Sequence, residues 1–282
     1  MKRAIILTLL LTVAAFAQKT EEERSWNQPV APFKIAGNIY YVGASDVTSY
    51  LITTSKGHIL IDSGFPETVP QIQSNVAKLG FKLTDVKFIL NSHAHYDHAG
   101  GIAELKRLTG AKLLVSRPDE NLFLNGGLKD PNFGDRFQFE AVKPDRLLKD
   151  REKVKLGSTT LTANLTAGHT PGCTSWATTT RDNGRDLNVI FVCSTSSPGY
   201  KLVNNAGYPS IIDDYFKTFE RLKSMKIDVF LGAHGGIYNL EEKVKLVGSS
   251  SNPFIDPQGY LDYLTASEAA FRKKLEEQRM AK

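Results

Sequence analysis

Beyond its first residues the chain has no apolar run long enough to cross a bilayer as a helix. It has no cluster of lysine or arginine interleaved with aromatics, no short repeat and no low-complexity tract. These absences argue against a helical membrane protein, a nucleic-acid binder, a solenoid and a disordered linker. The formal charge of +5 comes from 35 basic and 30 acidic residues, too even a balance to attract polyanions strongly. Cysteine is scarce, two in 282 residues. None lies just after Ala17, so nothing recommends a lipid anchor there.

The first residues are the exception. Lys2-Arg3 is followed by an uncharged apolar run from Ala4 to Phe16, and Ala15-Phe16-Ala17 is a small-x-small site. This pattern predicts a signal peptide over residues 1–17, removed after Ala17, and export to the periplasm or the medium. Residues 18–282 are expected to form a single domain, and the protein to be a monomer without stable membrane insertion.

Export would place Cys173 and Cys193 in an oxidising compartment. Asn183-Gly184 lies near the middle of the segment between them, flanked by strand-like residues, and is a hairpin signal. Reflection through that turn sets the two cysteines nearly opposite each other, which predicts a disulfide. It would stabilise the fold by roughly 3 kcal/mol. Two free buried thiols, or Cys193 as a metal ligand, are the alternatives.

Strands are expected at 39–42, 49–54, 58–62, 86–90, 112–116, 146–148, 153–156, 160–166, 175–180, 188–192 and 229–231. Helices are expected at 69–79, 99–108, 211–225, 240–247 and 257–278, with a short one at 119–124. Asp256-Pro257 reads as an N-cap followed by proline in the first turn. Two strand arrays interleaved with helices fit a layered α/β sandwich. The stretch 125–143 has no periodicity but is rich in phenylalanine and glycine. It reads as a functional flap or as a loop packed on the core.

Five of the six histidines fall in three short segments. The first holds His93, His95, Asp97 and His98, the second is Gly168-His169-Thr170-Pro171-Gly172, and the third centres on His234. Each follows a strand-like stretch, so its ligands would sit on loops anchored by a sheet. His93 and His95 can point to one side of an extended chain. Asp97 and His98 come where the chain turns into a helix near Ala99, and Ala99-Gly100-Gly101 is expected to leave room for metal and water. Imidazole and carboxylate donors at this spacing suit zinc. His58 lies apart and is read as a strand residue at the surface or the rim of the core.

The string His93-x-His95-x-Asp97-His98, the Gly-His-Thr-Pro-Gly turn, the late Gly-x-His and Leu60-Ile61-Asp62-Ser63-Gly64 resemble the metallo-β-lactamase superfamily. The match extends over most of the mature chain. The resemblance implies a four-layered αββα sandwich with two zinc ions at one edge. It assigns His93, His95 and His169 to one zinc, and Asp97, His98 and His234 to the other, with a water or hydroxide between them. Members that cleave thioesters or lactones carry a bridging aspartate where this chain has Cys193-Ser194. Ser194-x-Ser196-x-Pro198-Gly199-Tyr200 instead resembles the third subclass of class B β-lactamases, in which serine replaces a metal-binding cysteine. That alignment favours the disulfide for Cys193.

The resemblance thus implies an exported di-zinc hydrolase that opens penicillins, cephalosporins and carbapenems and confers antibiotic resistance. In that reading Asp97 orients the nucleophile, Ser194 and Ser196 bind the substrate carboxylate, and Phe133 covers its apolar side chain. The alternative is another exported hydrolase of the same fold, acting on a lactone, thioester or phosphoester. A non-catalytic zinc protein fits less well, since a structural zinc is usually closed by four ligands.

Overall fold

The computed structural model describes residues 20–281. The expected leader, residues 1–17, lies outside them. After a short helix α1 (Glu21–Trp26), the first sheet begins with β1 (Phe33–Ala36), β2 (Ile39–Tyr41), β3 (Tyr50–Thr54) and β4 (Gly57–Ile61). These four pair antiparallel. Helix α2 (Val69–Lys78) crosses to β5 (Val86–Leu90), and α3 (Tyr96–Ala99) with α4 (Ile102–Thr109) crosses to β6 (Lys112–Ser116). Helix α5 (Glu120–Leu124) and the phenylalanine-rich loop lead to β7 (Arg146–Leu148). Strands β4 to β7 are parallel neighbours, as helical crossovers require.

The second sheet holds β8 (Lys153–Leu156), β9 (Thr159–Leu165), β10 (Thr174–Asp182) and β11 (Arg185–Val192), all antiparallel. Helix α6 (Ile211–Lys223) then crosses to β12 (Val229–Gly232), parallel to β11. Helices α7 (Leu240–Lys245) and α8 (Pro257–Met280) complete the α-helices and strands of the described residues. The β10–β11 turn is Asn183-Gly184, with φ of 47° and 79°, the left-handed pair that a two-residue hairpin needs. Asp256 caps α8 by accepting from Gly259 N at 2.9 Å.

Alternation along the strands builds the layers. Tyr50, Ile52, Ile59, Ile61 and Leu90 point between the sheets, where they meet Trp176, Val189 and Phe191 of the second sheet. Leu51, Leu60 and Ile89 point the other way, onto Ile72 and Val76 of α2 and Ile102 and Leu105 of α4. Phe230 of β12 faces α8, against Tyr260 and Tyr263. The result is the expected four-layered αββα sandwich.

Cys173 and Cys193 form the expected disulfide, with Cα atoms 5.9 Å apart. The stretch 125–143 packs on the core through Phe139. Phe139 is buried against Phe123, whereas Phe133 and Phe137 are half-buried and meet edge to face with ring centroids 5.1 Å apart. His58 is buried on β4 beside the Phe81 ring, at the rim of the outer cluster.

Two local expectations are corrected. Asp97 and His98 lie inside a separate one-turn helix, α3, instead of in the turn before a longer one. His95 precedes that turn, and its carbonyl accepts from His98 N at 3.0 Å and Ala99 N at 2.8 Å. The glycines after it make room for protein, not for metal. A Cβ on Gly100 would lie 2.4 Å from the Tyr96 carbonyl oxygen, and one on Gly101 would lie 2.5 Å from Val69 Cγ2.

Candidate metal centre

Parallel neighbours bring their carboxyl ends to one edge of a sheet, which is where open α/β sheets place their sites. Asp62 follows β4, the first histidine segment follows β5, and Asp119 follows β6. Ser194 and Ser196 follow β11, and His234 follows β12. His169 arrives from the β9–β10 connection. The structure brings all the sequence-expected histidines of the three segments to this edge.

Their ring nitrogens meet in two groups. His95 Nδ1 and His169 Nε2 are 3.1 Å apart, and His93 has a ring nitrogen within 4.8 Å of donor atoms on both. His98 Nε2 and His234 Nε2 are 3.1 Å apart, and Asp97 Oδ2 is 3.3 Å from each. Two ligands held about 2.05 Å from a tetrahedral ion lie about 3.3 Å apart. The His95–His169 pair and the Asp97, His98 and His234 set therefore stand near the spacing of a tetrahedron's edge, with His93 beside both. Each group has three donors, so each could hold an ion and leave a coordination position open. His93, Cys173 and Cys193 also cluster, but the disulfide occupies both sulfurs.

The opposite nitrogens of His93, His169 and His234 are held from outside, and those of His95 and His98 face carboxylates. His93 Nδ1 meets Ser92 Oγ at 3.0 Å, and His169 Nδ1 donates to the Ser196 carbonyl at 2.8 Å. His234 Nδ1 meets Asp46 Oδ2 at 2.6 Å. His95 Nε2 is 3.2 Å from Asp130 Oδ2, and His98 Nδ1 is 3.7 Å from Asp62 Oδ2. Such outer contacts fix which ring nitrogen faces a metal. The donor set and its outer contacts fit zinc.

Composition offers no sign of these anchors. Asp46, Asp119 and Asp130 are isolated in sequence and become neighbours of the histidines only through the fold. Asp119 accepts from Ala94 N at 3.2 Å and Gly172 N at 2.9 Å, tying the first histidine segment to the second. Burial raises its pKa to about 6. The sequence marks Asp62 only as part of a motif. It accepts from Asn91 Nδ2 at 2.8 Å and Ser92 N at 2.7 Å, steering the chain out of β5 toward His93. Its own φ of 60° is left-handed, a conformation aspartate tolerates better than most side chains.

Ser194 is buried, Ser196 is exposed, and their hydroxyls are 3.0 Å apart. The Ser196 carbonyl has a second task unseen in the sequence, since it accepts from both His169 Nδ1 and, at 2.5 Å, Tyr215 Oη. The Phe133 ring lies 5.1 Å from His95 and 5.3 Å from Tyr200.

Charge is divided unevenly over the site. Burial pushes His93 well below the usual imidazole range and His169 down to about 3, so both present neutral nitrogens. Burial would also lower His234, but its bonds to Asp46 and Asp97 outweigh that and raise it to about 10. Burial opposes ionisation of Asp97, yet His98 and His234 hold its pKa well below the usual carboxylate range. A metal ligand must be deprotonated, so an ion taken up by this second group would expel the His234 proton, and its affinity would rise with pH up to about 10. Calorimetry of zinc binding at pH 8 in buffers of different ionisation enthalpy should detect that proton. His234→Ala should release one fewer; equal release by both proteins would refute the assignment.

The sequence model of the metallo-beta-lactamase superfamily matches residues 42–234. The subclass B3 metallo-beta-lactamase BJP-1 of Bradyrhizobium japonicum is 44% identical, with a TM-score of 0.86 over 92% of this chain and 98% of that one. A "Probable metallo-hydrolase" of Burkholderia pseudomallei is 32% identical over 109 residues, which is 39% of this chain and only 36% of that protein. An N-acyl homoserine lactonase of Bacillus thuringiensis is 25% identical over 214 residues, 66% of this chain and 80% of the lactonase.

Proposed function

The chain belongs to the metallo-beta-lactamase superfamily, and we propose that within it the protein is a periplasmic or secreted di-zinc β-lactamase. In this reading, residues 18–282 form one monomeric catalytic domain freed from its leader. Penicillins, cephalosporins and carbapenems are the substrates. The observation that carries the reading is the convergence of six donors, with His95 and His169 in one place and Asp97, His98 and His234 in another near tetrahedral spacing, and His93 beside both. The identity to a subclass B3 enzyme directs it toward β-lactams.

His93, His95 and His169 hold one ion, and Asp97, His98 and His234 hold the other. Bound zinc supplies Lewis acidity, which lowers the pKa of an attacking water toward neutrality and polarises the scissile carbonyl. Asp97 uses one oxygen between His98 and His234 and keeps the other to orient that water. Asp46 and the Ser196 carbonyl hold His234 and His169 in place, so these rings need not reorganise during reaction. The hydroxyls of Ser194 and Ser196 receive the substrate carboxylate. Phe133, backed by Phe137 and Tyr200, excludes water from the apolar side of the drug.

The similarity to a lactonase supports a second reading, lactone hydrolysis. Against it, the chain has Cys193-Ser194 at the place where lactonase-like members carry a bridging aspartate, and Cys193 is committed to a disulfide. Turnover of a penicillin, a cephalosporin, a carbapenem and an acyl-homoserine lactone, each with and without chelator, separates the two. Chelator-sensitive hydrolysis of the β-lactams is expected. Turnover of the lactone alone would replace the first reading by the second.

A further inference from the structure

We propose that Asp130 is a positioning residue that couples metal occupancy at His93, His95 and His169 to the turn carrying Phe133. The inference rests on the metal reading above. It starts from hydrogen-bond bookkeeping. His169 Nδ1 faces the Ser196 carbonyl at 2.8 Å, and a carbonyl can only accept. That nitrogen therefore carries the proton, and neutral His169 presents a bare Nε2. The Nδ1 of His95, 3.1 Å away, must then be the donor to it. The other nitrogen of the His95 ring, Nε2, faces Asp130 Oδ2 at 3.2 Å. Both atoms are buried, and neither completes a hydrogen bond.

Metal on His95 Nδ1 fixes where the ring carries its proton. The ring's remaining proton must then sit on Nε2, where it meets the Asp130 carboxylate. A buried contact that completes no hydrogen bond becomes a charge-assisted one. The site thereby gains affinity, and Asp130 gains an anchor.

The other oxygen of the same carboxylate organises the flap. Asp130 Oδ1 accepts from Asn132 N at 2.8 Å and Phe133 N at 2.7 Å. Asp130 and Gly134 exchange backbone bonds of 3.0 and 2.9 Å across the turn. This short turn presents Phe133 over His95. Whatever holds Asp130 therefore holds the aromatic wall. By linkage, metal stabilises the turn and the ordered turn strengthens metal binding by the same factor.

Amide hydrogen exchange of metal-free and zinc-loaded protein, read beside zinc affinity from a chelator competition, tests this without substrate. In the parent protein, zinc should slow exchange several-fold at residues 132–134 as well as at 93–98. Asp130→Asn keeps an oxygen for the turn amides but offers His95 Nε2 an N–H, which favours the metal-free tautomer. It should lose the zinc-induced protection at 132–134 and bind zinc about 10- to 100-fold more weakly. Phe133→Ala removes the ring but keeps the carboxylate. It should retain both the protection and an affinity within about threefold of the parent. Parent-like behaviour of Asp130→Asn overturns the proposal, because a purely structural turn would behave that way. Loss of protection in Phe133→Ala also overturns it, since coupling would then run through ring stacking. Should Asp130→Asn fail to fold, the parent and Phe133→Ala still decide. Protection at 93–98 without any at 132–134 in the parent defeats the coupling alone; protection at neither defeats the metal reading itself.

Discussion

Asp97→Asn is expected to lower kcat/KM for any β-lactam that the protein hydrolyses by about 10³-fold. That corresponds to about 4 kcal/mol of lost transition-state stabilisation. Asparagine matches the shape of the side chain but removes the charge. Asp97 Oδ2 stands 3.3 Å from both His98 Nε2 and His234 Nε2, so it completes the second donor set. The same carboxylate is the group that would orient water. Both roles depend on an ionised oxygen, and the two histidines keep Asp97 ionised despite its burial. Kinetics at saturating zinc, together with metal content after dialysis, check the expectation. A variant that holds both ions and loses less than tenfold would remove Asp97 from the mechanism. A variant that has lost one ion but regains activity with added zinc would confine it to metal binding.

The second large effect concerns stability. Trp176→Ala should cost about 4 kcal/mol and lower Tm by roughly 10 °C. Trp176 has no exposed surface and lies between the two sheets. Truncation removes one of the largest side chains in that layer, and the rigid sheets on either side limit collapse of the cavity. The indole Nε1 also donates to the Asn91 carbonyl at 3.1 Å. Asn91 is the last residue before Ser92-His93, so the same change loosens the start of the metal loop. Denaturant unfolding of the metal-free proteins measures the cost. A loss below about 1 kcal/mol would show that Trp176 does not carry the inter-sheet packing assigned to it.

Strand and helix positions were largely legible because their patterns are local. Val69, Ile72 and Val76 repeat at helical spacing and are all buried in α2. Asn183-Gly184 announced its hairpin because few other pairs adopt two left-handed residues readily. The pairing of Cys173 with Cys193 followed from that hairpin's register. The one-turn helix α3 was not legible, since four residues carry no usable period. The glycines at 100 and 101 misled for a related reason. A missing Cβ says that something comes close, but not whether it is a ligand or Val69 and Pro66.

The sequence by itself determined the kind of chemistry. Histidine and aspartate in three glycine-flanked segments name a metal of zinc's preferences, and the resemblance of the Ser194-to-Tyr200 stretch to one subclass points to a class of hydrolase. Tertiary structure alone decided how those donors are held. Asp46 reaches His234 across 188 positions of sequence, and Asp119 reaches Gly172 across 53. Asp130 reaches His95 from a loop without any periodic pattern. The physical reason is that a metal ligand is recognised by its donor atom, which residue type reveals. A carboxylate that orients a ligand is recognised only by where it stands, and that is set by the twist and order of strands that the local sequence does not record.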